Sequence, residues 1–142
     1  MTDNKEKSKK PLHAFVSYAK EDKALVDELL KGLEAQHPDL LISSSDQLSA
    51  GENWLLRIKK TLSKSNIFIV LLSPNSITSE LVLSLLGAAW ALNIPIIPIV
   101  TQQEITNKLP LTLANVPIID IKKMSTPEAV SKVIERYEAQ AA

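Results

Sequence analysis

Apolar residues along this chain fall into two periodicities that take turns. His13-Ala14-Phe15-Val16-Ser17-Tyr18 is a short apolar and aromatic run that opens into the polar Ala19-Lys20-Glu21-Asp22, the form of a strand running into a helix start. Asp22 is the candidate N-cap. From Leu25 the period changes to that of a helix: Leu25, Val26, Leu29, Leu30 and Leu33 share one side, with Lys23, Asp27, Glu28, Lys31 and Glu34 on the other. That amphipathic helix ends near His37-Pro38. Leu40-Leu41-Ile42 reads as a second strand, followed by a small-residue loop from Ser43 to Gly51. Ser49 and Glu52 have the spacing of a capping box, so the next helix is expected to start there and run through Trp54, Leu55, Ile58 and Leu62.

Ile67-Phe68-Ile69-Val70-Leu71-Leu72 is apolar without interruption, the pattern of a central parallel strand covered on both faces. The stretch from Ser73 to Leu92 then turns and becomes a helix. After Glu80 the next charged residue is Glu104, so this helix has no charged face. The window Leu81 to Val100 is about the length of a membrane span. Asn93, Pro95 and Pro98 break it into a helix, a turn and a buried strand. A fourth strand is expected over Pro95 to Val100 and a fifth over Val116 to Ile121, with an irregular connection from Thr101 to Asn115. Thr126-Pro127 opens a last helix, in which Val130, Val133, Ile134 and Tyr137 repeat at helical spacing.

Strand and helix alternate about five times with no hairpin signal and no internal repeat. The fold class that follows is α/β: a doubly wound five-stranded parallel sheet with helices on both faces. Residues 1–11 are expected to be a disordered polar tail and residues 12–142 a single domain. Ligands of such sheets sit outside the carboxyl ends of the strands, here Ser17-Tyr18, the Ser43 to Gly51 loop, Ser73-Pro74 and Thr101.

Composition removes several chemistries. Cysteine is absent, which excludes thiolate catalysis and disulfides and fits a reducing cytoplasm. Sixteen basic residues balance sixteen acidic ones, so no global field draws the chain to nucleic acid or to an anionic membrane, and neither partner is expected. Arg57, Lys59, Lys60 and Lys64 have a simple explanation as cations near the carbonyl end of a helix. No glycine-rich phosphate loop is present among the three glycines. Ser17 or Ser73 could be nominated as a nucleophile, but His13 and His37 lie away from the strand ends and neither is placed to serve as a base. Two histidines without cysteine make no metal centre, and no cofactor is required.

Phe15-Val16-Ser17-Tyr18 followed by Asp22, then Asp46 with Gly51 and Trp54, Leu71-Leu72-Ser73-Pro74, Leu86-Gly87-Ala88-Ala89 and Ile97-Pro98-Ile99 resemble the successive boxes of the Toll/interleukin receptor (TIR) domain, most closely its bacterial branch. The resemblance implies a flavodoxin-like fold. It also implies one of two activities: cleavage of NAD at the nicotinamide ribosyl bond, or self-association and docking to another TIR domain in signalling complexes of the innate-immune kind. Catalytic members place a glutamate on the helix after the third strand, where a carboxylate can stabilise the oxocarbenium-like ribosyl centre. Leu85 occupies that position here, and Leu81 the position of a frequent tryptophan. Leucine holds no charge, so the resemblance implies a catalytically silent domain. Glu80 is a weak substitute: five residues earlier, it points about 140° away from that direction on a helix of about 100° per residue.

The candidate ligand cleft is therefore Ser17, Tyr18, Asp46, Gly51, Trp54, Ser73, Pro74, Leu81 and Leu85, with NAD as a possible substrate or ligand. The candidate assembly residues are Leu48, Ser49, Ala50, Leu81, Leu83 and Leu85. The leading expectation is a cytoplasmic TIR signalling module whose partner is itself or another TIR domain. The alternatives are an NAD nucleosidase and a nucleotide sensor without turnover.

Overall fold

In the computed structural model, residues 11–44, 53–114, 116–122, 128 and 130–135 are described, except for the side chains of Trp54 and Gln103. Five strands, β1 (His13–Ser17), β2 (Leu41–Ser44), β3 (Ile67–Leu72), β4 (Ile96–Val100) and β5 (Ile119–Asp120), form one sheet in the order β2-β1-β3-β4-β5. Every pairing is parallel. This is the flavodoxin-like order, with its reversal of winding between β1 and β3. All six residues of β3 are buried, as the uninterrupted apolar run requires of a strand covered on both sides.

Helices α1 (Lys23–Gln36), α2 (Trp54–Ser63) and α3 (Glu80–Ala91), with a fourth, α4, over residues 130–135, cover the sheet. Successive side chains of a strand point to opposite faces, and this alternation divides the core in two. Phe15, Phe68, Val70 and Leu72 pack with Ile58 and Leu62 of α2 and Val82, Leu86 and Ala89 of α3. Phe15 and Phe68, directly opposite in register, stack with ring centroids 6.0 Å apart. Ala14, Val16, Ile67, Ile69 and Leu71 pack on the other face with Val26, Leu29 and Leu33 of α1 and Val130 and Ile134 of α4.

The charge-free window resolves as its prolines and Asn93 imply. Helix α3 ends in a Schellman motif: Ile94 N donates to Ala89 O at 3.0 Å and Asn93 N donates to Trp90 O at 3.1 Å, with Asn93 in the left-handed region at φ 58°. The chain then enters β4. Among the described residues no helix is long and apolar enough to cross a membrane. Pro98 sits inside β4 without disrupting it. Thr101 N bonds to Leu72 O of β3, so by alternation the nitrogen of residue 98 faces the β5 side, and β5 pairs only from Ile99 onward. No ladder hydrogen bond is lost there.

Several boundaries differ from expectation. The fifth strand has two residues instead of six, because Pro117 and the exposed Ile118 precede it outside the ladder. The second runs over Leu41–Ser44, one residue later at its start, since Leu41 pairs with His13. Helix α2 begins at Trp54, after Asn53 in the left-handed region at φ 63°; Ser49 and Glu52 lie outside the described residues. The connection after β4 contains two short 3-10 stretches, Gln103–Lys108 and Leu111–Leu113. The polar tail (apart from Pro11), the Thr126-Pro127 cap and Tyr137 also lie outside the described residues.

Candidate functional site

The winding reversal places the carboxyl ends of β1 and β3 side by side. Ser17 ends β1 opposite Val70, and β3 continues through Leu72 into Ser73. One turn of 3-10 helix, Lys20–Asp22, returns the chain from β1 to α1 and brings Asp22 over the end of β3. Ser73 Oγ donates to Asp22 Oδ2 at 2.5 Å. Asp22 therefore does not cap α1 with its side chain, as its sequence position suggests. At φ −98° and ψ 11° its backbone is not in the extended cap conformation, and its carboxylate is turned to β3 instead.

Ser73 is part of a closed polar knot. Its backbone N–H donates to Ser76 Oγ at 2.8 Å, Ser76 N donates back to Ser73 Oγ at 3.1 Å, and Ser76 Oγ donates to Leu71 O at 2.8 Å. Both serines are buried. The reciprocal bonds fix the turn between β3 and α3, so the orientation of the Ser73 hydroxyl is set by the fold. Beside this knot, Ser17 Oγ and Thr101 Oγ1, at the ends of β1 and β4, are buried without a protein partner among the described residues. Tyr18 is buried at the same end of the sheet, and Pro74 is exposed. The strand ends thus bring together buried hydroxyls and one part-buried carboxylate.

Helix α3 starts with Ser79, whose Oγ accepts from Val82 N at 3.3 Å, and with the exposed Glu80, a carboxylate where the helix N-terminus favours negative charge. Its stripe Val82, Leu86 and Ala89 meets the sheet. Leu85 is also closed off, 6% exposed and part of the same core. This corrects its place among the assembly residues, because a side chain covered to that degree offers no surface to a partner. Leu81 and Leu83 are half-buried. The exposed apolar groups of this element are instead Trp90 and Leu92 at its far end. Asp46, Leu48, Ser49, Ala50 and Gly51 lie outside the described residues, as does the side chain of Trp54.

A serine nucleophile with a histidine base is not assembled among the described residues. His13 Nε2 is hydrogen-bonded to Ser43 Oγ at 2.7 Å and His37 Nε2 to Ser131 Oγ at 2.6 Å, so each is engaged away from Ser17 and Ser73. No cluster of three potential metal ligands occurs among them.

A family model described as "TIR domain" matches residues 14–134. The chain belongs to the TIR-domain family. No curated protein matches it. Among solved structures, the TIR domain of the Toll-related receptor TRR-2 from Hydra magnipapillata is 20% identical, with a TM-score of 0.70 over 88% of this chain and 97% of that one. A conserved protein from Enterococcus faecalis is 12% identical, with a TM-score of 0.67 over 89% of this chain and 99% of that one. Identities this low speak for the fold alone. In this TIR domain the Asp22–Ser73 pair escapes sequence reading because its members lie 51 residues apart. The available signal is that both follow adjacent parallel strands.

Proposed function

We propose that this protein is a cytoplasmic TIR-domain signalling module that works by association with itself or another TIR domain and does not turn over NAD. Leu85 carries this reading. It occupies the position at which the family resemblance implies a catalytic glutamate, and it is buried among apolar side chains. Cleavage of NAD breaks the bond between the nicotinamide nitrogen and the ribose and adds water, giving nicotinamide, ADP-ribose and a proton. The positive charge that develops on the ribose needs a carboxylate beside it, and loss of such a stabiliser lowers rates about a hundredfold to a thousandfold. The contact elements in this reading are the loop from Ser43 to Asn53 and the stretch from Ser79 to Leu92, whose apolar exposure lies at Trp90 and Leu92.

The NAD nucleosidase alternative is favoured by one observation, the Asp22 carboxylate at the β1/β3 crevice. Nicotinamide release and light scattering on the same sample, with and without NAD, separate the two. No release together with a mass that rises with concentration, or on addition of another TIR domain, supports the module; release at an ordinary enzyme rate refutes it. A calorimetric titration with NAD and ADP-ribose tests binding without turnover.

A further inference from the structure

Residues 53–79 contain four cations, Arg57, Lys59, Lys60 and Lys64, and no acidic residue. The carbonyl end of α2 accounts for only part of this cluster, since Arg57 is the fourth residue of the helix and only Lys60 lies in its last turn. Ile58 and Leu62 turn into the core, and at about 100° per residue Lys60 points directly away from their midline. Leu56 lies about 40° to one side of Lys60 and Lys64 about 40° to the other, with Lys59 beyond Leu56 and Arg57 beyond Lys64. Leu56 is therefore flanked by lysines on both sides. It is 47% exposed, and Leu55, on the Lys59 side, is 63% exposed. Like charges three and four residues apart repel. Among the described residues the one ion pair is Lys23–Asp27 at 3.5 Å, and it leaves the α2 cations unpaired there.

The fold keeps the described acids away from this face. Helix α1, which mixes Asp27, Glu28 and Glu34 with Lys23 and Lys31, packs on the opposite side of the sheet. Helix α3, on the same side as α2, has Glu80 as its one charged residue, in its first turn. Both α2 and α3 return from the carboxyl ends of parallel strands to the amino edge, so Lys60 and Lys64 lie toward the amino edge and Glu80 at the carboxyl edge. Zero net charge removes steering from a distance. At a charged surface the field acts within a Debye length, about 8 Å at physiological salt, and there the local patch decides.

We propose that the outward face of α2 seats on an anionic bilayer, with its cations among the lipid headgroups and Leu55 and Leu56 at the acyl boundary. Four or more basic residues on an amphipathic helix form the pattern of anionic-lipid binding, and each cation near such a surface strengthens binding about fivefold. The leucines decide between a bilayer and nucleic acid. A phosphate backbone has no apolar layer to take up leucines set among the cations, whereas the headgroup boundary has one. Such a helix lies on the membrane and need not span it, in keeping with the absence of a spanning helix among the described residues. This goes beyond the association proposed above, whose contact elements lie outside α2, and neither depends on the other.

The test is co-sedimentation of the full chain with phosphatidylcholine vesicles prepared with and without phosphatidylserine, at low and high salt. The wild type is expected to bind only the phosphatidylserine vesicles, and less as salt rises. Arg57→Gln/Lys60→Gln is expected to weaken binding about 30-fold, two cations at about fivefold each. Leu55→Ser/Leu56→Ser should weaken it about tenfold through lost apolar burial, and Lys20→Gln/Lys31→Gln on the other side of the sheet should leave it unchanged. Urea unfolding checks that each variant is folded, and Lys59→Gln/Lys64→Gln provides a second removal of charge from the same face. A wild type that ignores phosphatidylserine would overturn the proposal. So would equal weakening by Lys20→Gln/Lys31→Gln, or binding to duplex DNA or RNA that Arg57→Gln/Lys60→Gln abolishes and Leu55→Ser/Leu56→Ser leaves intact, without binding to vesicles.

Discussion

Replacing Leu85 with glutamate tests both the packing and the functional reading, because the substitution introduces, at a position this fold has closed, the group that the family resemblance implies there. Leu85 is 6% exposed in the core formed by α2, α3 and one face of the sheet. Removing a buried leucine forfeits about 2 kcal/mol of apolar burial. The introduced carboxyl must either carry a charge in that core or stay protonated. Holding a glutamate protonated at pH 7 against its ordinary titration near 4.3 costs about 3.7 kcal/mol, which bounds the ionisation penalty. Leu85→Glu is therefore expected to lose about 5–6 kcal/mol at pH 7, comparable to the whole stability of many domains at about 5–15 kcal/mol. The sign with pH is fixed. A carboxyl held protonated in the folded state penalises folding above its unfolded pKa, so at pH 5 the ionisation part shrinks to about 1 kcal/mol and stability recovers by about 3 kcal/mol relative to wild type. Leu85→Gln, which cannot ionise, should show the loss without this recovery. Urea unfolding of the three proteins at pH 7 and pH 5, beside a nicotinamide-release assay, reads these quantities. A loss below about 1 kcal/mol with no pH dependence would refute the closed position, and NAD cleavage by that variant would point to an intact cleft lacking one group.

Ser73→Ala removes the bond to the Asp22 carboxylate and the acceptor for Ser76 N, and is expected to lower unfolding free energy by about 1–3 kcal/mol, measured by urea unfolding. Ser17→Ala deletes a buried hydroxyl with no partner among the described residues and should be neutral or stabilising by up to about 1 kcal/mol in the same measurement. Ser79→Ala should destabilise by about 0.5–1 kcal/mol, the low end for an N-cap, given its 3.3 Å bond. Burial, and secondarily the Lys64 cation, push the His13 imidazole below its ordinary titration range. The unfolded chain then binds a proton more readily than the folded one. Stability is full above about pH 6.5 and falls as the pH drops toward the lowered folded value, and melting temperatures of wild type and His13→Gln between pH 7.5 and 5.5 should diverge in that direction.

The continuous apolar run at Ile67 to Leu72, the helical period from Leu25 to Leu33 and the break of the uncharged window at Asn93 each depend on local chemistry, and each was legible in the chain. Alternating strands and helices then leave few ways to cover both sides of a buried strand, which is why the doubly wound class followed from periodicity. The length of β5 was not legible, since ladder pairing depends on where β4 ends and not on the apolar content of Val116 to Ile121. Position 85 shows the same division. That leucine stands where the family resemblance implies a glutamate is a property of the sequence alone. That Leu85 is enclosed while Trp90 and Leu92 are exposed is a matter of packing, because α3 lacks the charged face that would have fixed its rotation. Asp22 and Ser73 meet only because β1 and β3 are neighbours. The sequence by itself determined the succession of strands and helices and the fold class, both short-range matters. The tertiary structure decided which polar groups share the crevice and which leucines are available to a partner, because both depend on contacts between segments distant in the chain.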